Sequence, residues 1–241
     1  MPRDIHQTKR QARLAGLLYL LASIPAPFGL IFVPNKLIVS DNATATADHI
    51  RASGDLLRLG IASELVGTVL FIFVVLALYR LFKPVNETHA LAMMILILVS
   101  IPISLLSVVN EVAALILVSG TDFLSVFNKD QLDALAYLFM RLHSRESLVA
   151  EIFWGLWLFP FAALVIRSGF IPRFLGYLLI IAALGYLSAS VTFLLLPTYG
   201  SVVSQFADKL TLCELPIILW LLFWGARDQG LKNKTPDHIS A

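Results

Sequence analysis

"ALAMMILILVSIPISLLSVVNEVAALILVS", residues 90–119, carries a single charged side chain, Glu111. A hydrocarbon core about 30 Å thick is crossed by about 20 apolar residues of helix. The run is longer than that, so it reads as a membrane span. Five further stretches read the same way, at 14–33, 57–82, 147–167, 173–196 and 210–226. The chain as a whole agrees. Its 241 residues are 58% hydrophobic and 14% charged, whereas soluble domains carry about 25% charged residues. The expected fold is all-α: one six-span membrane domain over 14–226, preceded by a cytoplasmic segment 1–13 and followed by a polar, disordered cytoplasmic tail 227–241.

The N-terminus has the basic start and apolar stretch of a signal peptide. However, Pro27 follows Ala26, the one small-residue cleavage site, and apolar character continues to Val33. An uncleaved first span is expected. With that end inside, the inner segments hold 11 Lys and Arg and the outer segments 7. The positive-inside rule then puts both termini in the cytoplasm. The net charge of +2, with no basic face interleaved with aromatics, excludes a nucleic-acid partner. One cysteine, Cys213, excludes an internal disulfide framework.

Two outer loops are long. Residues 34–56 hold turn formers, a short helix after Thr46 and the sequon Asn42-Ala43-Thr44. In 122–146, Phe123, Phe127, Leu132, Leu135, Leu138, Phe139 and Leu142 recur at helical spacing with charges between them. This predicts an amphipathic helix on the outer face between spans three and four, capped by Asn128 with Gln131 three residues on.

Three stretches carry a family likeness: "RLAGLLYLLASIPAPFGLIFVPNKLIV" (13–39), "LALYRLFKPVN" (76–86) and "RSGFIPRFLGYLLIIAALGYL" (167–187). The chain resembles the bacterial multi-pass membrane family known as domain of unknown function number 4386. The resemblance covers most of 10–226 and implies a polytopic protein of a prokaryotic inner membrane. It carries no catalytic or binding residues across.

The polar content of the spans is more telling. Of 16 acidic residues, four lie inside apolar segments: Glu64, Glu111, Glu151 and Glu214. Each costs about 2.5–3.5 kcal/mol at a membrane centre on insertion scales. Given the span directions, all four fall in the outer third of the bilayer. Asn110 adjoins Glu111, and His143 stands at the mouth of span four. Three openings echo one another: "RLGIASEL" (58–65), "RESLVAEI" (145–152) and "KLTLCEL" (209–215). Such echoes suggest related hairpins, as in transporters. Pro216 is expected to free the carbonyl of Leu212 beside Glu214.

Three readings follow. The leading one is an outward-facing pocket of Glu64, Asn110, Glu111, Glu151 and Glu214 that binds a cation, a proton or a small polar ligand in a transporter- or sensor-like protein. The second is a membrane-embedded enzyme using a divalent metal on His143, Glu111 and Glu151. The balance leans away from an enzyme, because the phosphate-cradling loop and the G-x-S-x-G nucleophile motif are both missing. In the third, the chain is a structural or assembly membrane protein with the glutamates as helix anchors, Glu64, Glu151 and Glu214 pairing with Arg58, Arg145 and Lys209. Those basic residues stand five or six positions earlier, where a helix does not turn them face to face. The lipid bilayer is the expected partner in all three.

Overall fold

A computed structural model describes residues 5–227, and every regular element among them is helical. The expected polar ends, 1–4 and 228–241, lie outside the described residues. The chain opens with α1 (Ile5–Ala22). Pro25 and Pro27 have no N–H to donate, so the continuation is irregular. It runs through α2 (Pro25–Pro27), a π-helical turn (Phe28–Phe32) and α3 (Val33–Leu37). Asn42 then caps α4 (Ala43–Ala52) by accepting from the Ala45 N–H. Next come α5 (Gly54–Phe82) and α6 (Glu87–Val118), the latter capped by Asn86. A 3-10 turn (Asp122–Leu124) leads to α7 (Lys129–Ser168). The capping box expected at Asn128 and Gln131 is present, and Gly169 at φ +71° closes the helix left-handed. The chain ends in α8 (Arg173–Leu195), α9 (Gly200–Thr211), a 3-10 turn (Leu212–Glu214) and α10 (Leu215–Phe223).

Five helical segments are long and apolar enough to cross a membrane: Ile5–Leu37, Gly54–Phe82, Glu87–Val118, Lys129–Ser168 and Arg173–Leu195. Two expectations change. The amphipathic stretch in 122–146 does not form a separate surface helix, since from Lys129 onward it is the first half of α7, which runs unbroken for 40 residues. No Gly or Pro stands between Lys129 and Trp154, so nothing interrupts the backbone. At 1.5 Å per residue α7 is about 60 Å long, roughly twice a bilayer core.

The stretch 210–226 likewise is not one continuous helix. Pro216 cannot donate to Leu212, and the chain tightens to 3-10 geometry just before it. The Leu212 carbonyl is not freed, because it accepts from the Leu215 N–H instead. The nine residues of α10 span only about 14 Å. Pro102 and Pro160 leave α6 and α7 continuous.

The long helices pack as sequential neighbours, and α10 against α1 closes the ring. Two apolar clusters fill it. The larger is built on Tyr19, Val74, Phe82, Trp157 and Phe161. The smaller, at the α4 end, holds Val33, Leu37, Ile50, Leu57, Ala114, Ala136 and Met140. Outside the ring, large apolar side chains such as Leu17, Val66, Phe73 and Leu106 are exposed, as suits contact with lipid.

An ion network ties α4 to α7. Asp133, whose side chain is 1% exposed, binds Arg51 through Oδ1 and Lys129 Nζ through Oδ2 at 2.8 Å. Arg51 also pairs with Asp48 at 2.6 Å. Nearby, the Asp41 N–H donates to the Tyr137 hydroxyl at 3.0 Å. Asp133→Ala should lower unfolding free energy by about 2 kcal/mol, because Arg51 and Lys129 are left beside a buried gap but reach solvent for part of their hydration. Thermal unfolding of the full chain checks this; an unchanged midpoint would show that the network stabilises nothing.

Candidate functional site

Glu64 on α5, Glu111 on α6 and His143 on α7 meet inside the bundle. On each helix the polar residue falls between members of the two apolar clusters. Glu64 lies between Leu57 and Val74, Glu111 between Ile97 and Ala114, and His143 between Met140 and Trp157. The three therefore form one polar layer sealed on either side by hydrocarbon. Glu64 is 4% exposed, Glu111 0% and His143 1%.

Their ligating atoms lie within 4.8 Å of one another. His143 Nε2 is 3.4 Å from Glu64 Oε1 and 3.8 Å from Glu111 Oε1. Glu64 Oε1, both Glu111 oxygens and His143 Nε2 are buried without a hydrogen-bond partner. Buried polar atoms are rarely left so, because each forfeits its hydration without return.

Ser107 sets the state of the imidazole. His143 Nδ1 lies 3.0 Å from Ser107 Oγ and 3.3 Å from the Ser107 carbonyl. The Ser107 hydroxyl donates to the His143 carbonyl at 3.1 Å, which uses its one proton. Nδ1 thus faces acceptors and is the protonated nitrogen. In the neutral ring, Nε2 then presents a lone pair to two carboxylates. Lone pair and carboxylates repel unless a positive centre stands between them. A second hydrogen bond that fixes ring and tautomer is the usual support of a metal-ligating histidine.

The π-helical turn forms a further wall. A Cβ on Gly29 would stand 2.4 Å from Glu64 Cγ and 2.6 Å from the Gly60 carbonyl oxygen. Only glycine lets α5 come this close. Single π turns inside α-helices occur often at functional sites.

The expected pocket of five residues is divided. Glu64 and Glu111 converge with His143. Asn110, one residue from Glu111 and so turned about 100° away, donates instead to Glu146 of α7 at 2.7 Å. Glu151 is half-buried and stands apart from the trio. It is eight residues from His143 on one continuous helix, so about 12 Å further along the axis. A flexible entrance to span four would have let the two meet, but the unbroken α7 forbids it. The His143, Glu111 and Glu151 set expected for a metal is thus not gathered, and Glu64 occupies the third position. Glu214 lies with Tyr19 and Tyr186.

No anchoring pair joins Glu64, Glu151 or Glu214 to Arg58, Arg145 or Lys209 among the described residues. Arg145 lies over the Phe193 ring and Lys209 over the Phe206 ring. Sequence reasoning missed Ser107, Gly29, Tyr19 and Tyr186. Ser107 was the most accessible of them, since it stands four residues before Glu111 and so on the same helix face.

The family model described as Domain of unknown function (DUF4386) matches residues 14–225. No curated protein and no solved structure matches the chain.

Proposed function

The chain belongs to the DUF4386 family, and we propose that it is a cation-binding membrane protein of transporter- or sensor-like type. Glu64, Glu111 and His143 hold a divalent first-row transition metal such as Zn²⁺. The observation that carries this reading is the convergence of three buried, unpartnered ligand atoms, Glu64 Oε1, Glu111 Oε1 and His143 Nε2. Charge supports it: two carboxylates and a neutral imidazole balance a dication, giving a neutral centre in a low-dielectric layer. Donor type supports it too, since imidazole with carboxylate favours zinc, iron or manganese over calcium. An ion about 2.1 Å from each of its tetrahedral ligands holds them about 3.4 Å apart, close to the separations of 3.4 and 3.8 Å here.

In this reading the membrane domain covers 14–226 and crosses a prokaryotic inner membrane six times, with both termini in the cytoplasm. The α9–α10 segment makes the sixth crossing as a broken helix. The metal layer then lies toward the outer side, beneath the apolar cluster of the α4 end. A second reading, a metal-assisted enzyme, draws on the count of three protein ligands, the number usual in catalytic zinc sites.

Metal analysis of the purified full-length protein in lipid nanodiscs tests the site. One Zn²⁺ per chain is expected in the wild type, Glu151→Gln and Glu214→Gln, with stoichiometric loss in Glu64→Gln and Glu111→Gln. Wild-type protein that retains no more metal than the Glu111→Gln variant would end the proposal. Hydrolytic turnover that disappears with the metal would favour the enzyme.

A further inference from the structure

Glu214 occupies the break between α9 and α10, apart from the metal layer. Tyr19 of α1 donates its hydroxyl to Oε1, and Tyr186 of α8 donates to Oε2 at 3.1 Å. Tyr19 is buried and Tyr186 half-buried. No Lys or Arg pairs with this carboxylate among the described residues. The other ionisable groups on the packed elements are few. Glu151 of α7 lies within electrostatic reach of Tyr186, and Asp208 of α9 within reach of Glu151. Lys209 of α9 turns to the Phe206 ring, and α10 carries no ionisable residue.

The choice of partner is informative. A permanent anchor for a membrane carboxylate is Arg or Lys, which can only donate. A tyrosine hydroxyl both donates and accepts. Ionised Glu214 accepts from both hydroxyls; protonated Glu214 accepts from one and donates to the other. Both states are satisfied by hydroxyl rotation alone, with no heavy atom moved. Carboxylates of this kind inside membranes mark proton pathways, and breaks in membrane helices mark ion sites.

We propose that Glu214, clamped by Tyr19 and Tyr186 at the helix break, is a proton-binding site whose two protonation states are held by the same pair of hydroxyls. The proton balance is simple. Glu214 takes up one proton from the medium as pH falls and returns it as pH rises, and the two hydroxyls turn to match. This site shares no ligand atom with Glu64, Glu111 and His143, so it stands or falls independently of the metal.

Infrared difference spectroscopy of the full chain in lipid nanodiscs, recorded as pH is stepped, tests it. The expected result is a protonated-carboxyl C=O band that appears as pH falls, is lost in Glu214→Gln and persists in Glu64→Gln. Tyr19→Phe and Tyr186→Phe retain the carboxylate but remove one hydrogen bond each, so the band should move in frequency and in midpoint pH. Wild-type and Glu214→Gln difference spectra that superimpose would overturn the proposal. If Glu214→Gln fails to fold, tyrosine-variant spectra identical to wild type would do the same.

Discussion

His143→Gln should abolish stoichiometric metal binding, with affinity reduced at least a hundredfold. The imidazole supplies the one nitrogen donor among the three ligands, and its Nε2 is aimed at both carboxylates. Glutamine has no lone pair of comparable strength to offer there. It also loses the Ser107 contacts that hold the ring. Ser107→Ala leaves all three ligands in place and removes the hydroxyl between Nδ1 and the His143 carbonyl. Loss of such outer support costs about 10–100-fold in metal affinity. The expected order is therefore wild type, then Ser107→Ala, then His143→Gln, measured by competition with a chromogenic chelator. If Ser107→Ala bound as tightly as wild type while His143→Gln did not, the serine would have no tuning role. If His143→Gln also bound normally, the trio would not be the metal site.

Gly29→Ala is the second large effect. Its new methyl would lie 2.4 Å from Glu64 Cγ and 2.6 Å from the Gly60 carbonyl oxygen. The carbonyl is backbone and cannot turn aside, so either the π-helical turn withdraws from α5 or Glu64 rotates off the metal layer. Metal affinity is expected to fall at least tenfold, with a stability loss of about 1–3 kcal/mol from overpacking. Gly16→Ala is the control. Its methyl would lie 2.4 Å from the backbone nitrogen of Leu222, at the contact of α1 with α10. It should lose comparable stability and keep its metal affinity. Equal metal loss in both variants would mean that general loosening, and not displacement of Glu64, lowers affinity.

The contrast between these two glycines shows how far the sequence could be read. Both stand among apolar residues in the first span, and nothing in their neighbourhoods distinguishes a helix-packing notch from the wall of a polar site. The glutamates of the apolar runs were legible because a carboxylate in such a run is costly wherever it points. Their grouping was not. The matching openings at 58–65, 145–152 and 209–215 suggested a shared environment, yet Glu64 faces His143, Glu151 stands apart from that trio, and Glu214 sits between two hydroxyls. His143 was visible at the edge of a span. Its role was hidden because the continuity of α7 decides which face of that helix it occupies and how deep it lies.

By itself, the sequence determined that the elements are helices and that the long ones are apolar enough to cross a membrane. Hydropathy over thirty residues at a time is a summed quantity, so it survives errors in any one position. Caps such as Asn128 with Gln131 are settled within four residues of chain, and they were equally readable. Tertiary structure alone decided which buried groups meet. Whether Glu111 faces Glu64 and His143 or its neighbour Asn110 finds Glu146 depends on the relative rotation of α5, α6 and α7. That rotation is fixed by packing between residues far apart in sequence, at Gly29 against Gly60 and at Ser107 against His143, and no local pattern along the chain encodes it.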